Sequence, residues 1–167
     1  VLDTLETPTA PKLRQATANS IEIKAVSGQM YLCTDSAEIP KYTESAWKTA
    51  SSTEMTFTGL KDNTTYRIYT YIPEKEDRKR SNISVALKAE TVQYGKFTGI
   101  GNPNSADVIY LKRALASWDG YDINIYAVDI NNDGKVNEAD VMTLERHIAG
   151  WKGYEKLPVI ANPLPMA

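Results

Sequence analysis

Apolar and polar residues alternate in short runs along the first half of the chain. Residues 20–26, 54–58 and 65–72 each follow a period of two, the pattern of a strand with one face toward a core. Ser27-Gly28, Asp62-Asn63 and the charged run 74–80 separate these runs as turns or solvated connections. Several short strands in such a length predict a β-sandwich. Residues 30–33 form a further core strand, in which Cys33 behaves as a small hydrophobe. On the strand 65–72, Tyr69 and Tyr71 point away from Tyr66, Ile68 and Ile72. They are either a sugar-stacking platform or, as we favour, covered by packing on the sheet face or against the other half.

From about Tyr94 the period changes to that of helices. Residues 107–118 and 140–151 both read as helical, and they align with each other at an offset of 33 residues. Ala106/Ala139, Asp107/Asp140, Val108/Val141, Leu111/Leu144, Arg113/Arg146, Ala116/Ala149 and Trp118/Trp151 are identical pairs, as are Gly101/Gly134 and Asn104/Asn137 upstream. So many identities in one register mark an internal duplication. One stripe on each helix, Val108, Leu111, Leu115 and Trp118 and then Val141, Leu144, Ile148 and Trp151, is expected to pack the repeats together. A second stripe carries Ala106, Ile109, Arg113 and Ala116 on one helix and Ala139, Met142, Arg146 and Ala149 on the other. Small residues around one larger apolar residue and an arginine suit a protein interface. The alternative is that a strip packs on the sandwich or the tail.

Candidate chemistry lies just before the second helix. Calcium takes six to eight oxygens, which a 12-residue loop supplies from alternating positions around a glycine at the sixth. Residues 129–140 place Asp129, Asn131 and Asp133 at positions one, three and five, with Gly134 sixth. Lys135 offers its carbonyl at the seventh position, Asn137 stands ninth and Asp140 closes the loop. Three crowded carboxylates repel unless a cation joins them, so the metal should stabilise the fold. The blander reading is a polar turn rich in Asn and Asp. In the first repeat the equivalent positions hold Lys96, Thr98 and Ile100, and only Gly101, Asn104 and Asp107 survive. This loop is expected to be empty, leaving one calcium ion for the chain.

Two resemblances follow from these residues. Leu60, Thr64 and Tyr66 have the spacing of a tyrosine corner, and residues 1–92 resemble a fibronectin type III or related immunoglobulin-like module, with Asp62 where that family usually has proline. A calcium loop closed by aspartate, followed but not preceded by a helix and duplicated, resembles the dockerin module, here within residues 93–167. The resemblance implies calcium-dependent binding to a cohesin and a place in a bacterial, extracellular, cellulosome-type complex that degrades polysaccharides. It also implies that the contact includes neighbours equivalent to Lys112 and Glu145, whose opposite charges break the symmetry of the two strips. A sandwich followed closely by such a module looks like an X-module–dockerin dyad. The short link 92–97 then suggests contact between the halves, with the tail 157–165 clasping the surface.

Composition narrows the alternatives. Lys and Arg number 19 against 21 Asp and Glu, a net charge of −2, without the basic stripe that nucleic-acid binding needs. No run of 18 apolar residues spans a membrane. The chain opens at Val1 without a signal-peptide pattern and reads as a piece of something longer. A single histidine, His147, and a single cysteine, Cys33, leave catalytic triads and zinc sites without their parts. The expected fold is therefore a two-domain chain, an all-β immunoglobulin-like sandwich followed by an all-α duplicated loop-helix domain. The expected function is non-catalytic docking. A calcium sensor or buffer of the EF-hand type and a carbohydrate-binding sandwich are the alternatives.

Overall fold

Alternation in the first half becomes strands whose inward side chains meet in one interior. The computed structural model describes residues 1–159, and the chain divides into two units, Val1–Val92 and Gln93–Ala167. In the first unit the strands are β1 Asp3–Thr4, β2 Lys12–Ala16, β3 Ile21–Lys24, β4 Met30–Thr34, β5 Lys48–Thr49, β6 Glu54–Phe57, β7 Thr65–Tyr71, β8 Arg78–Lys79 and β9 Leu87–Glu90. They form an antiparallel sheet β2-β3-β6, another β5-β4-β7-β9, and a short parallel pair of β1 with β8. Ile21 and Ile23 from one sheet meet Tyr31, Tyr66, Ile68 and Ala89 from the other, with Phe57 beside them. This is a two-sheet sandwich, and the expected strands at 20–26, 54–58 and 65–72 lie in it with slightly trimmed ends.

The turn into β7 is fixed by one phenol. Tyr66 Oη accepts the Lys61 amide N–H at 2.9 Å, five residues upstream, as a tyrosine corner does. Asn63 turns the chain between them at φ 45°, a left-handed conformation that asparagine tolerates. On the other face of β4 and β7, Leu32, Trp47 and Tyr69 form a smaller cluster with Met30, Tyr71, Ile83 and Ala86. Tyr71 meets the edges or faces of Trp47 and Tyr42 at centroid distances of 4.7 and 4.9 Å. Tyr69 is buried, so the two tyrosines are packed within this unit and do not make an open platform. Cys33 is half-buried against the main core, and burial pushes its thiol up to about 12. The run 74–80 is exposed.

The second unit contains α1 Ser105–Leu115, α2 Ile125–Val128 and α3 Glu138–Ile148. Val108 and Leu111 of α1 pack with Val141 and Leu144 of α3, and Val128 and Ile130 close the cluster. Two expectations change here. Trp118 and Trp151, assigned to the core stripe, are 57 % and 54 % exposed because each helix ends before reaching them; Ile148 also lies at the surface. A one-turn helix, α2, does precede the second loop, started by Asn124, whose side chain accepts the Tyr126 N–H. Its four residues are too few for a period to show in the sequence.

The 33-residue offset recurs in the backbone. Left-handed residues stand at Gly99 and Asn132, Gly101 and Gly134, Ser117 and Gly150, and Gly120 and Gly153. Gly95 is required for space: a Cβ there would lie 2.8 Å from Leu144 Cδ1 and 3.2 Å from Leu157 Cδ1. Of the tail, Leu157 packs on the helix core and the Val159 N–H donates to the Ile130 carbonyl at 2.7 Å. The rest of the tail, residues 160–167, lies outside the described residues. Replacing Tyr66 with Phe keeps the ring and removes the acceptor for Lys61. Urea denaturation of the Tyr66→Phe variant should show a loss of about 1 kcal/mol.

Candidate functional site

The second loop is organised by carboxylates that collect backbone N–H groups. Asp129 Oδ1 accepts from Asp133 N at 3.1 Å and its Oδ2 from Gly134 N at 3.0 Å. Asn131 Oδ1 accepts from Asp133 N, and Asp133 Oδ1 from Lys135 N. Left-handed turns at Asn132 and Gly134, φ 55° and 79°, curl the loop around these side chains. At its end Asn137 caps α3, accepting the Ala139 N–H at 2.8 Å, while Asp140 Oδ2 accepts the Asn137 N–H at 2.9 Å. This reciprocal capping box satisfies helix-terminal donors. Asp140 Oδ1 reaches back across the loop to the Ile130 N–H at 2.9 Å. Asp140 is fully buried. Burial pushes its carboxyl up, the N–H groups of Asn137, Asn131 and Ile130 pull it partly back, and the charge of Asp129 pushes it further up.

The donors are all oxygens, the chemistry a hard cation requires, and two of the carboxylates, Asp129 and Asp133, reach the surface. Each carboxylate oxygen that accepts one N–H keeps a second lone pair. Among the described residues no three His, Cys, Asp or Glu side chains converge into a metal cluster. The set therefore depends on the Asn131 amide oxygen and the Lys135 carbonyl as well as on the carboxylates. Asn131, Asp129, Asp133, Lys135 and Asp140 fit calcium by donor type. The oxygen of Asn137 is engaged as the helix cap.

The first loop keeps the hydrogen bonds of the closing aspartate and the capping asparagine, with a different charge at its centre. Asp107, equivalent to Asp140, accepts from Asn104 N on one oxygen and from Phe97 N, Thr98 N and Thr98 Oγ1 on the other. Lys96 Nζ lies 2.9 Å from Asp107 Oδ2, with the two side chains 7 % and 0 % exposed. The same ammonium donates to the Asn102 carbonyl at 3.2 Å. Burial alone would raise the Asp107 carboxyl, but the Lys96 hydrogen bond and the three backbone N–H groups outweigh it and hold it at about 2. Twin carboxylates at one repeat position thus shift in opposite directions, one beside the Lys96 ammonium and the other beside the Asp129 carboxylate. Sequence reading treated Lys96 only as an obstacle to metal. Its reach to Asp107 could have been inferred from the loop alignment, which puts a long cationic side chain opposite a retained acid.

The two strips expected to face a partner lie open in part. Ala106, Ile109, Ala116, Met142 and Ala149 are exposed, Ile109 and Met142 each by 49 %, and Ala139 is half-buried. Lys112 and Glu145, expected beside a partner, hold each other at 2.8 Å, and this hydrogen bond raises the lysine pKa. Arg113 lies over the Trp118 and Tyr121 rings at 5.2 and 5.3 Å and donates to Tyr121 Oη at 2.6 Å. Arg146 repeats this with Trp151 and Tyr154 at 5.0 and 5.4 Å, donating to Tyr154 Oη at 2.8 Å. The exposed tryptophans are therefore platforms for the arginines. Tyr121 and Tyr154 were missed, although they share the 33-residue offset. His147 Nδ1 lies 2.6 Å from the Tyr154 carbonyl, which gives it a structural partner.

Removing the ammonium from the first loop would leave a buried carboxylate without its counter-ion. A Lys96→Met variant, which keeps the length of the side chain, should lose about 3–5 kcal/mol of stability in chemical denaturation. The pH dependence has a defined sign. The folded value for Asp107, about 2, lies below the ordinary 3.8, so its contribution is present above that ordinary value and is lost as pH falls through about 2. Carboxyl titration by NMR should find Asp107 ionised at pH 3, and Lys96→Met should move its midpoint upward.

Residues 99–149 match the family model of the dockerin type I domain, a family whose members bind calcium in general. No curated protein matches the chain. Among solved structures, the fourth FNIII domain of a human protein aligns with TM-score 0.43 and 16 % identity, covering 63 % of this chain and 88 % of that one. A fibronectin type III domain derived from another human protein aligns with TM-score 0.41 and 15 % identity, covering 58 % and 84 %. A titin module from human cardiac muscle aligns with TM-score 0.37 and 13 % identity, covering 51 % and 92 %. The C-terminal unit thus carries, at residues 99–149, the pattern of the dockerin type I domain.

Proposed function

We propose that this chain is a non-catalytic docking module whose C-terminal unit binds a cohesin in a calcium-dependent manner. In this reading it anchors or assembles a polysaccharide-degrading, cellulosome-type complex outside a bacterial cell, with the sandwich as its X-module companion. One observation carries the proposal: α1 and α3 keep Ile109 and Met142 at the surface, inside a segment that matches a dockerin. An exposed apolar residue flanked by alanines and an ordered arginine on each helix is what a partner surface needs. No described helix is long and apolar enough to cross a membrane.

The loop's part is to hold α3 in place. One calcium ion, bound through Asp129, Asn131, Asp133, the Lys135 carbonyl and Asp140, supplies the positive charge that the buried Asp140 lacks among its protein neighbours. Asn137 assists from the cap of the helix. Asp140 is the link, since it caps α3 with one oxygen and gathers the loop with the other. The face bearing Ala139, Met142, Glu145, Arg146 and Ala149 then follows the loop, and Ala106, Ile109, Lys112, Arg113 and Ala116 form its counterpart on α1. The sensor reading is weaker, because Asp140 is a methylene shorter than the glutamate usual in sensors and α2 is a single turn.

Calorimetry against a panel of cohesins should find one that binds with calcium and releases with chelator. A double variant Ile109→Asp, Met142→Asp should bind that cohesin at least about thirtyfold more weakly while remaining folded. Binding that ignores chelator, or a panel with no binder, would sink the proposal.

A further inference from the structure

We infer that the first repeat is a calcium loop with a built-in cation: the Lys96 ammonium stands where the metal would, so α1 is held without calcium. The inference rests on reading residues 129–140 as the calcium site. The offset of 33 residues maps Lys96 onto Asp129, Asn102 onto Lys135 and Asp107 onto Asp140. In a 12-residue loop the seventh carbonyl and the twelfth carboxylate both give oxygens to the cation. Those are the two groups the ammonium touches, Asn102 O at 3.2 Å and Asp107 Oδ2 at 2.9 Å.

The rest of the loop keeps the shape of its twin. Left-handed turns stand at Gly99 and Gly101, φ 60° and 94°, where the second loop has Asn132 and Gly134 at 55° and 79°. Phe97 N and Thr98 N face Asp107 Oδ1 as Ile130 N and Asn131 N face Asp140 Oδ1. Charge is matched too. One ammonium meets one carboxylate in the first loop, whereas the second loop has aspartates at its first, fifth and twelfth positions and no cation at its first. Calcium does not fit the first loop, since its first position is a cation, Ile100 has no side-chain oxygen where Asp133 stands, and the Thr98 hydroxyl that replaces the Asn131 amide is turned to Asp107 Oδ1. Calcium therefore acts directly on the loop before α3 alone, and the loop before α1 is closed by its own ammonium.

The test is calcium titration by calorimetry on the full chain, beside a variant that restores the donors, Lys96→Asp with Thr98→Asn and Ile100→Asp. Wild type should bind one ion and the triple variant two. A triple variant that still binds one would overturn the inference. A wild type that binds none would instead count against the calcium reading on which it rests. Lys96→Met supplies an independent arm: it should gain no ion yet melt roughly 10 °C or more below wild type both with calcium and with chelator. An unchanged melting temperature would overturn the claim that the ammonium holds the loop. Hydrogen exchange in chelator should leave the Phe97, Thr98 and Asn104 amides, which bond Asp107, better protected than the Ile130, Asn131 and Asn137 amides, which bond Asp140. Equal loss of protection at both loops would overturn the inference that the first repeat closes without calcium.

Discussion

A carboxylate buried at the head of a helix needs a positive charge, and the C-terminal unit is arranged around that need. Asp107 and Asp140 are both fully enclosed. Each caps its helix with one oxygen and draws in the start of its loop with the other. Backbone N–H groups meet the geometric demand, but they are dipoles and cannot neutralise a full charge in a poorly solvated place. The two repeats answer the same electrostatic requirement differently, one with a covalently tethered ammonium and the other with donors suited to an ion from solution. Loop, cap and helix stand or fall together in each.

Much of this was legible in the sequence. Alternation located the sandwich strands, and Leu60, Thr64 and Tyr66 announced the corner later seen at Lys61. The duplication was legible because identities fall in one register, and the same register extends to the capping asparagines and the left-handed turns. Helical periodicity misled at Trp118 and Trp151. A period says which face a residue would occupy if the helix continued, and both helices stop two residues or more before. Alternation likewise assigned Tyr69 and Tyr71 to one face of β7 without saying what covers it. Trp47 comes from a loop distant in sequence, and no local pattern encodes such a contact.

Lys96 shows a different limit. Counting ligands treats a lost donor as a loss of function, because motifs describe the residues that remain. A substitution that reverses charge at a ligand position can preserve the electrostatics while removing the metal. That outcome depends on whether the lysine stem, four carbons long, can lay its head on the acid across the loop, which is a question of backbone shape. The shape was retained by the glycines, and so the ammonium arrives.

Arg113 and Arg146 bear on recognition in another way. A free arginine on a helix surface samples many rotamers and surrenders them when a partner fixes it, a penalty of about 0.5–1.5 kcal/mol for each side chain. Here each guanidinium is already seated over a tryptophan and a tyrosine and tied to the phenol. That entropy is given up during folding. The two guanidinium groups are thus placed by folding itself, and a partner that met these helices would not have to order them.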